Sequence, residues 1–176
     1  MINKGMMDST IVADGLCKSY SNVVAIKDIS LRIDNGEIFG LIGPDGAGKT
    51  TIFRILTTLS LADSGTARVC GLDVVKDYQQ IRSEIGYMPG HFALYQDLSV
   101  EENLQFYATI FGTDVKSNYD NIKDIYCQLE PFKKRRAGAL SGGMKQKLAL
   151  CCALVHRPKV LFLDEPTTGV DAVSRK

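Results

Sequence analysis

No stretch of this chain is long and apolar enough to span a bilayer, which takes ~18–20 residues. The longest apolar run, Leu148 to Val155, is too short for that and reads as a buried helix. An excess of charge of either sign is also missing. The formal net charge is +1, so nothing points to a polyanion such as DNA, and no nucleic-acid partner is expected. The first residues, Met1 to Asp8, lack the apolar centre of a signal peptide. None of the five cysteines, Cys17, Cys70, Cys127, Cys151 and Cys152, forms a C-x-x-C pair, and their number is odd. Free, buried or half-buried thiols in a reducing cytosol are expected. There is no internal repeat and no low-complexity tract. What remains is a chain of 176 residues, enough for one domain with a core of its own.

Within that plain background one run stands out. Gly43-Pro44-Asp45-Gly46-Ala47-Gly48-Lys49-Thr50 fits G-x-x-x-x-G-K-[ST] at every fixed position. Its three glycines let the backbone curl so that successive N–H groups make a concave anion site. Lys49 adds a mobile point charge for the β- and γ-phosphates, the Thr50 hydroxyl can ligate Mg²⁺, and Thr51 beside it belongs to the expected nucleotide site. A helix is expected from about Gly48, aiming its positive end at the phosphates. The apolar run Ile38-Phe39-Gly40-Leu41-Ile42 before the loop reads as a buried strand. Ile52, Phe53, Ile55, Leu56 and Leu59 follow at helical spacing.

Either side of this segment the pattern alternates between strand and helix. Ile11 to Ile33 is strand-like and closes on an Asn35-Gly36 turn. Thr66 to Cys70 and Ile85 to Met88 read as short strands, and Tyr78 to Ile85 as a short helix. From about Gly90 to Leu140 the chain reads as a helical subdomain set into an α/β core. Ser99-Val100-Glu101-Glu102 is a capping-box sequence, with Leu104, Tyr107, Ala108 and Phe111 on one face of the helix it starts. A second helix is expected to carry Tyr119, Ile122, Ile125, Tyr126 and Leu129 and to end at Pro131.

Two further segments carry chemistry. Val160-Leu161-Phe162-Leu163-Asp164-Glu165 is a buried-strand sequence that delivers two carboxylates to the end of a strand. Asp164 suits a Mg²⁺ ligand and Glu165 a group that polarises water. Leu140-Ser141-Gly142-Gly143-Met144-Lys145-Gln146 places a capping hydroxyl and two glycines at a helix start, a second terminus that an anion can approach closely.

With these segments in place the chain resembles the ATP-binding subunit of ABC transporters over essentially its whole length. GPDGAGKT at 43–50, LSGGMKQ at 140–146, VLFLDE at 160–165 and Pro166-Thr167-Thr168-Gly169-Val170-Asp171 carry the likeness. The resemblance implies an α/β fold: a P-loop NTPase core of mixed sheet flanked by helices, an N-terminal antiparallel β region and the inserted helical subdomain. It implies ATP and Mg²⁺ as cofactors. Tyr20 would stack on adenine, and Asp171 matches the D-loop aspartate. Two such domains would pair head to tail, each ATP lying between one phosphate loop and the partner's Ser141, Gly142 and Gly143. A separate transmembrane permease subunit would take up the work, with this chain peripheral on the cytoplasmic face. Asp45, Tyr87-Met88-Pro89 and Tyr95-Gln96-Asp97-Leu98 look like the ABC-2 type of drug or lipid exporters.

Two departures accompany the likeness. After Tyr87-Met88-Pro89 the family has a glutamine that contacts Mg²⁺; here the residue is Gly90. Either water completes the metal shell, or a shifted loop brings His91 or Gln96 close. The family's later switch histidine has no counterpart before Lys176, and His156, near a helix end, is expected as a surface or capping residue. The chain is thus expected to be a fragment of a longer subunit. The run Lys133-Lys134-Arg135-Arg136 reads as a solvated face or as a contact with a membrane partner or anionic lipid. Beside the exporter ATPase stand two alternatives: a soluble ABC ATPase acting on ribosomes or nucleic acid, and a nucleotide-binding module with impaired hydrolysis.

Overall fold

The computed structural model describes residues 9–166, and the chain divides into two compact units at Ile85/Gly86. In the first, β1 (Ser9–Tyr20) and β2 (Val23–Asp34) form a long antiparallel hairpin, and β3 (Ser64–Val69) and β4 (Leu72–Asp73) extend it. The strand order is β2-β1-β3-β4, and every pairing is antiparallel. Ile11, Ala13 and Leu16 of β1 are buried with Ile26, Ala67 and Val69. Strict alternation would turn position 16 to the opposite face from 11 and 13. A register shift between Ala13 and Leu16 restores it to the core side. The shift coincides with Gly15 at φ +58°, and β3 crosses there so closely that a Cβ on Gly65 would lie 2.4 Å from the Gly15 carbonyl oxygen.

The helix α1 (Lys49–Leu56) buries Ile52, Ile55 and Leu56, the expected spacing, and packs on β2 and β3. Its far end is held by the Arg82 guanidinium from α2 (Tyr78–Glu84), which donates to the Thr58 hydroxyl and carbonyl oxygens, both at 2.8 Å. Asp63 accepts from Lys18 Nζ and the Ser19 N–H, each at 2.7 Å. Those bonds hold its carboxyl below the usual aspartate value.

One expected strand is not formed. Residues 38–42 carry no strand structure, and Ile38 and Ile42 are fully exposed. An apolar run with no alternation gains its stability from neighbours on both edges and both faces. The sheet of the first unit is wholly antiparallel and takes no strand from this run.

The second unit opens with β5 (Ile85–Met88), which pairs with β6 (Val160–Leu163). Gly86 is required there: a Cβ on it would lie 2.4 Å from the Ala153 carbonyl oxygen. The helices α3 (Val100–Ile110) and α4 (Lys123–Tyr126) pack on α5 (Gly142–Leu154). Leu104, Ile122, Leu129, Leu148, Cys151 and Cys152 make the shared core. The long second helix expected up to Pro131 is broken instead into a 3-10 turn over Tyr119–Asn121, the single turn of α4, and a second 3-10 turn over Glu130–Phe132. Pro131 stands inside that last turn at a first-turn position, where its missing N–H costs nothing. The break follows from local polar groups. Asp114, Ser117, Asn118 and Asn121 bond to one another and to nearby backbone, offering it an alternative to a helical ladder.

The start of α3 carries a complete capping box. Ser99 Oγ accepts from the Glu102 N–H at 3.2 Å, and Glu102 Oε2 accepts from the Ser99 N–H at 2.7 Å. Beneath this box, fully buried Asn103 ties the preceding loop to the helix. Its Oδ1 accepts from the Tyr95 N–H at 3.1 Å, and its Nδ2 donates to the carbonyls of Tyr95 at 3.0 Å and Ser99 at 2.9 Å. Replacing Asn103 by alanine removes the side-chain partners of the Tyr95 N–H and carbonyl, while the Ser99 carbonyl keeps its bond from the backbone N–H of residue 103. We expect a loss of about 2–4 kcal/mol, read from urea unfolding curves.

The hydrogen bonds to Ser99 hold the Glu102 carboxyl below the ordinary glutamate value of 4.5. A folded-state pKa that is depressed contributes stability in full above the unfolded value and loses it as the pH falls through the folded one. Glutamine can make the same box without titrating. The gap in melting temperature between wild type and Glu102→Gln is therefore expected to move against the wild type below about pH 4.5. Parallel melting curves from pH 7 to 3 for both proteins would reveal no such divergence if the box is broken in solution.

Candidate nucleotide site

The phosphate loop lies in the first unit, with Gly43, Pro44, Asp45, Gly46 and Ala47 exposed. It is closed by the Ala47 N–H donating to the Pro44 carbonyl at 3.2 Å. Gly46 and Gly48 have φ of +80° and +88°. Gly48 is the N-cap of α1 and supplies no side-chain cap, so the positive end of the helix is not covered by its own first residue. A Cβ on Gly48 would lie 2.5 Å from both the Ala25 carbonyl oxygen and Ile26 Cγ2 of β2. A Cβ on Gly46 would meet nothing within 4 Å: the loop is tight behind and open in front. The Lys49 ammonium donates to the carbonyls of Gly43 and Pro44, each at 2.8 Å. The cation is thus held against the loop, with two acceptors that a phosphate can replace.

Tyr20, at the end of β1 in the same unit, is exposed, and Lys18 Nζ lies 5.6 Å from its ring centroid. An exposed ring with one cation beside it keeps a face for stacking.

The signature segment opens α5 in the second unit. Ser141 is the N-cap, its Oγ accepting from the Met144 N–H at 3.4 Å. Gly142 and Gly143 form the first turn, which has no acidic residue. Ser141 and Gly142 are exposed, while Leu140 before them is buried and anchors the turn. The result is a helix N-terminus open to solvent with little side chain over it, a geometry suited to an anion.

At the end of β6, Asp164 is buried and its N–H donates to the Met88 carbonyl at 2.9 Å. Glu165 is exposed and leaves the strand in the left-handed region at φ +51°. Gly90 lies beside this pair: a Cβ there would be 3.2 Å from the Asp164 carbonyl oxygen and 3.4 Å from Glu165 Cβ. Gln96, weighed beside His91 for the missing glutamine, accepts at its carbonyl from the Gly138 N–H at 2.9 Å, just before the signature. His91 is exposed. His156 is not a plain surface cap: its ring is half-buried and stacks on Phe111 at 3.6 Å and 9°. Asp171 lies outside the described residues. In the basic run Lys134 pairs with Glu101 and Arg135 covers the Phe132 ring at 4.6 Å; both cations are exposed, while Glu101 and Phe132 are half-buried.

The sequence reading missed Asn103, the left-handed backbone at Glu165, and the contact between Gly90 and the acid pair. For Asn103 a signal existed. It shares the i, i+3, i+4 spacing of Val100 and Leu104, so a polar residue stands on the buried face of α3.

The donors present suit a magnesium nucleotide. No group of three or more His, Cys, Asp or Glu side chains able to hold a metal exists among the described residues. Magnesium seldom needs one, since it keeps waters and takes one or two hard oxygen ligands plus substrate phosphates. The Thr50 hydroxyl and Asp164 carboxylate are donors of that type.

The sequence profile of the ABC transporter family matches residues 26–168, and the chain belongs to that family. It is 46% identical to the probable multidrug ABC transporter ATP-binding protein YbhF of Escherichia coli, over 97% of this chain and 30% of that protein. It is 39% identical to the doxorubicin resistance ATP-binding protein DrrA of Mycobacterium tuberculosis, over 96% of this chain and 52% of that one. The chain therefore spans about a third to a half of the length of these relatives. Among solved structures, an ATP-binding subunit of an ABC transporter matches with a TM-score of 0.83 at 26% identity, over 94% of this chain and 70% of its own. The cbiO1 protein of Clostridium perfringens, part of the ABC transporter complex cbiONQ, matches at 0.78 and 27% identity, over 95% of this chain and 69% of its own. The expected fold class, an ABC-type α/β ATPase domain with an antiparallel β region and helices, is the one these structures share.

Gly48→Ala should be more damaging than its single methyl suggests. It forces an L-residue to φ +88° and drives a Cβ into the Ala25 carbonyl. A loss of about 2–4 kcal/mol is expected in thermal unfolding, whereas Gly46→Ala, with open space around it, should lose only the strain of its positive φ, about 1 kcal/mol.

Proposed function

We propose that the protein is the ATP-binding and ATP-hydrolysing subunit of an ABC exporter, driving transport through separate membrane subunits. The observation that carries this reading is the phosphate loop. A left-handed glycine with no side chain starts α1, and the Lys49 ammonium rests on loop carbonyls where phosphate oxygens can replace them. The relatives named for multidrug and doxorubicin resistance support export as the direction. No helix among the described residues is long and apolar enough to cross a membrane, in keeping with a peripheral subunit on the cytoplasmic face whose membrane-spanning part is another chain.

In this reading Gly43 to Thr51 enclose the phosphates, and Lys49 neutralises charge that builds on them during transfer. Thr50 and Asp164 would hold a magnesium ion, which would supply positive charge to offset that of the phosphates. Glu165, exposed at the strand end, orients the attacking water. Tyr20 stacks on the base. Ser141, Gly142 and Gly143 have a use only if a second nucleotide domain presents its own ATP to them. A head-to-tail dimer supplies this. The small net charge of +1 gives no support to a nucleic-acid or ribosomal role.

Calorimetry on the full-length protein tests the loop: Lys49→Ala should remove measurable ATP binding, and unchanged affinity would reject the site. Glu165→Gln should keep ATP affinity within about twofold and lower hydrolysis by at least about a hundredfold. Binding without turnover already in the wild type would instead mark a nucleotide-binding module.

A further inference from the structure

Asp63 bonds to each of the three residues before Tyr20, and the exporter reading gives it no role. Its N–H donates to the Cys17 carbonyl at 2.8 Å. Its carboxylate accepts from Lys18 Nζ and from the Ser19 N–H, each at 2.7 Å. The place of these bonds in the sheet gives them weight. β3 pairs with β1 only as far as Cys17, which stands opposite Ser64. Beyond it Lys18, Ser19 and Tyr20 have a ladder on one side alone, to β2. Its register shifts between Leu16 and Lys18 and again between Lys18 and Ser19. Packing does not hold this end either. Val23 and Val24, opposite Tyr20 and Ser19, are exposed, and Ser21 in the turn sits at φ +51°. Asp63, the residue before β3, thus continues with its side chain the edge that β3 leaves off. The clamp reaches the ring as well: Lys18 Nζ, held by the carboxylate, lies 5.6 Å from the Tyr20 ring centroid, within reach of the attraction between an ammonium and an aromatic face.

We infer that Asp63 is a positioning residue for Tyr20: by clamping Cys17, Lys18 and Ser19 it holds the Tyr20 ring where a nucleobase can stack on it. The inference rests on the proposed base contact of Tyr20. A ring ordered before its ligand arrives loses less freedom on binding, so removal of the clamp weakens the base contact while the ring itself is still present. The phosphates are bound elsewhere. Their loop opens α1, and Asp63 comes in the chain after that helix's other end. Among the described residues neither Asp63 nor Lys18 bonds to residues 43–51. A ligand with phosphates and no base therefore does not sense the clamp.

The test is calorimetry on the full-length protein with two probes in magnesium buffer: ATP, and inorganic tripolyphosphate, which carries the phosphates without the base. Tyr20→Ala sets the worth of the stacked base and should weaken ATP binding about tenfold. Asp63→Ala should weaken it about fivefold. Asp63→Asn keeps the size and one acceptor oxygen for Ser19 but loses the charge that holds Lys18, and should fall between wild type and Asp63→Ala. Tripolyphosphate should bind all three variants as it binds the wild type. Added to Tyr20→Ala, Asp63→Ala should cost nothing more, because it acts through the ring. Wild-type ATP affinity in both Asp63 variants would overturn the inference. So would an equal loss for both probes, which marks a disturbance of the whole unit, or a further loss in the double variant. Wild-type ATP affinity in Tyr20→Ala would remove the base contact itself and the purpose of the clamp with it, a result distinct from failure of the Asp63 variants alone.

Discussion

At Gly48, β2 and the start of α1 approach to a distance that leaves no room for a side chain. The Ala25 carbonyl oxygen and Ile26 Cγ2 occupy the space where a Cβ would be, and Ile26, Ile52 and Ile55 are buried around the same junction. This contact fixes where the helix begins and which way its first N–H groups face. Lys49 and Thr50 then have no choice of position, being the first two residues of a helix whose start is set by backbone packing. The candidate anion site therefore follows from core formation: the sheet and helix pack with a bare glycine, and no side-chain cap, at the helix start.

The second unit uses side-chain caps where the first uses a glycine. Ser99, Glu102 and Asn103 pin the loop of residues 95–99 to α3, and Ser141 starts α5 by the same kind of bond. Both helices then share one apolar core with α4, so the exposed Gly142 stands on an element anchored by Leu148, Cys151 and Cys152. On the other side of this unit β5 and β6 end together, and the bond from Asp164 to Met88 sets the acids next to Gly90. The candidate site groups are thus carried at element ends, while element middles are apolar, the division expected where rigid scaffolds present short reactive edges.

Features specified by a few adjacent residues were legible in the sequence. The phosphate loop, the Ser99 box, the Ser141 cap and the strand Val160–Leu163 all depend on local spacing, and all form where the residues indicate. What failed depends on distant partners or on competing polar groups. Ile38 to Ile42 has the composition of a buried strand, but composition cannot supply a ladder partner. The stretch from Tyr119 to Phe132 has helical spacing, but its Asp, Ser and Asn side chains divert the backbone into 3-10 turns. Glu165 gives no sign of its left-handed backbone, because nothing in a glutamate favours that region. The crowding at Gly90 is visible only once β5 and β6 are paired. His156 looked like a cap for a helix end, and the stacking partner that half-covers it, Phe111, is 45 positions away in sequence.

The two adjacent thiols of α5 have a consequence of their own. Burial pushes Cys151 up to about 12 and Cys152 well above the usual thiol range, so neither forms the reactive thiolate while the helices stay packed. Cys127, on the same unit, is exposed. The unit thereby carries an internal clock: a maleimide or iodoacetamide reagent marks the outer sulfur at once and the inner pair only when α5 parts from its neighbours. The lag between the two labels measures how often that packing opens, with no probe added to the chain.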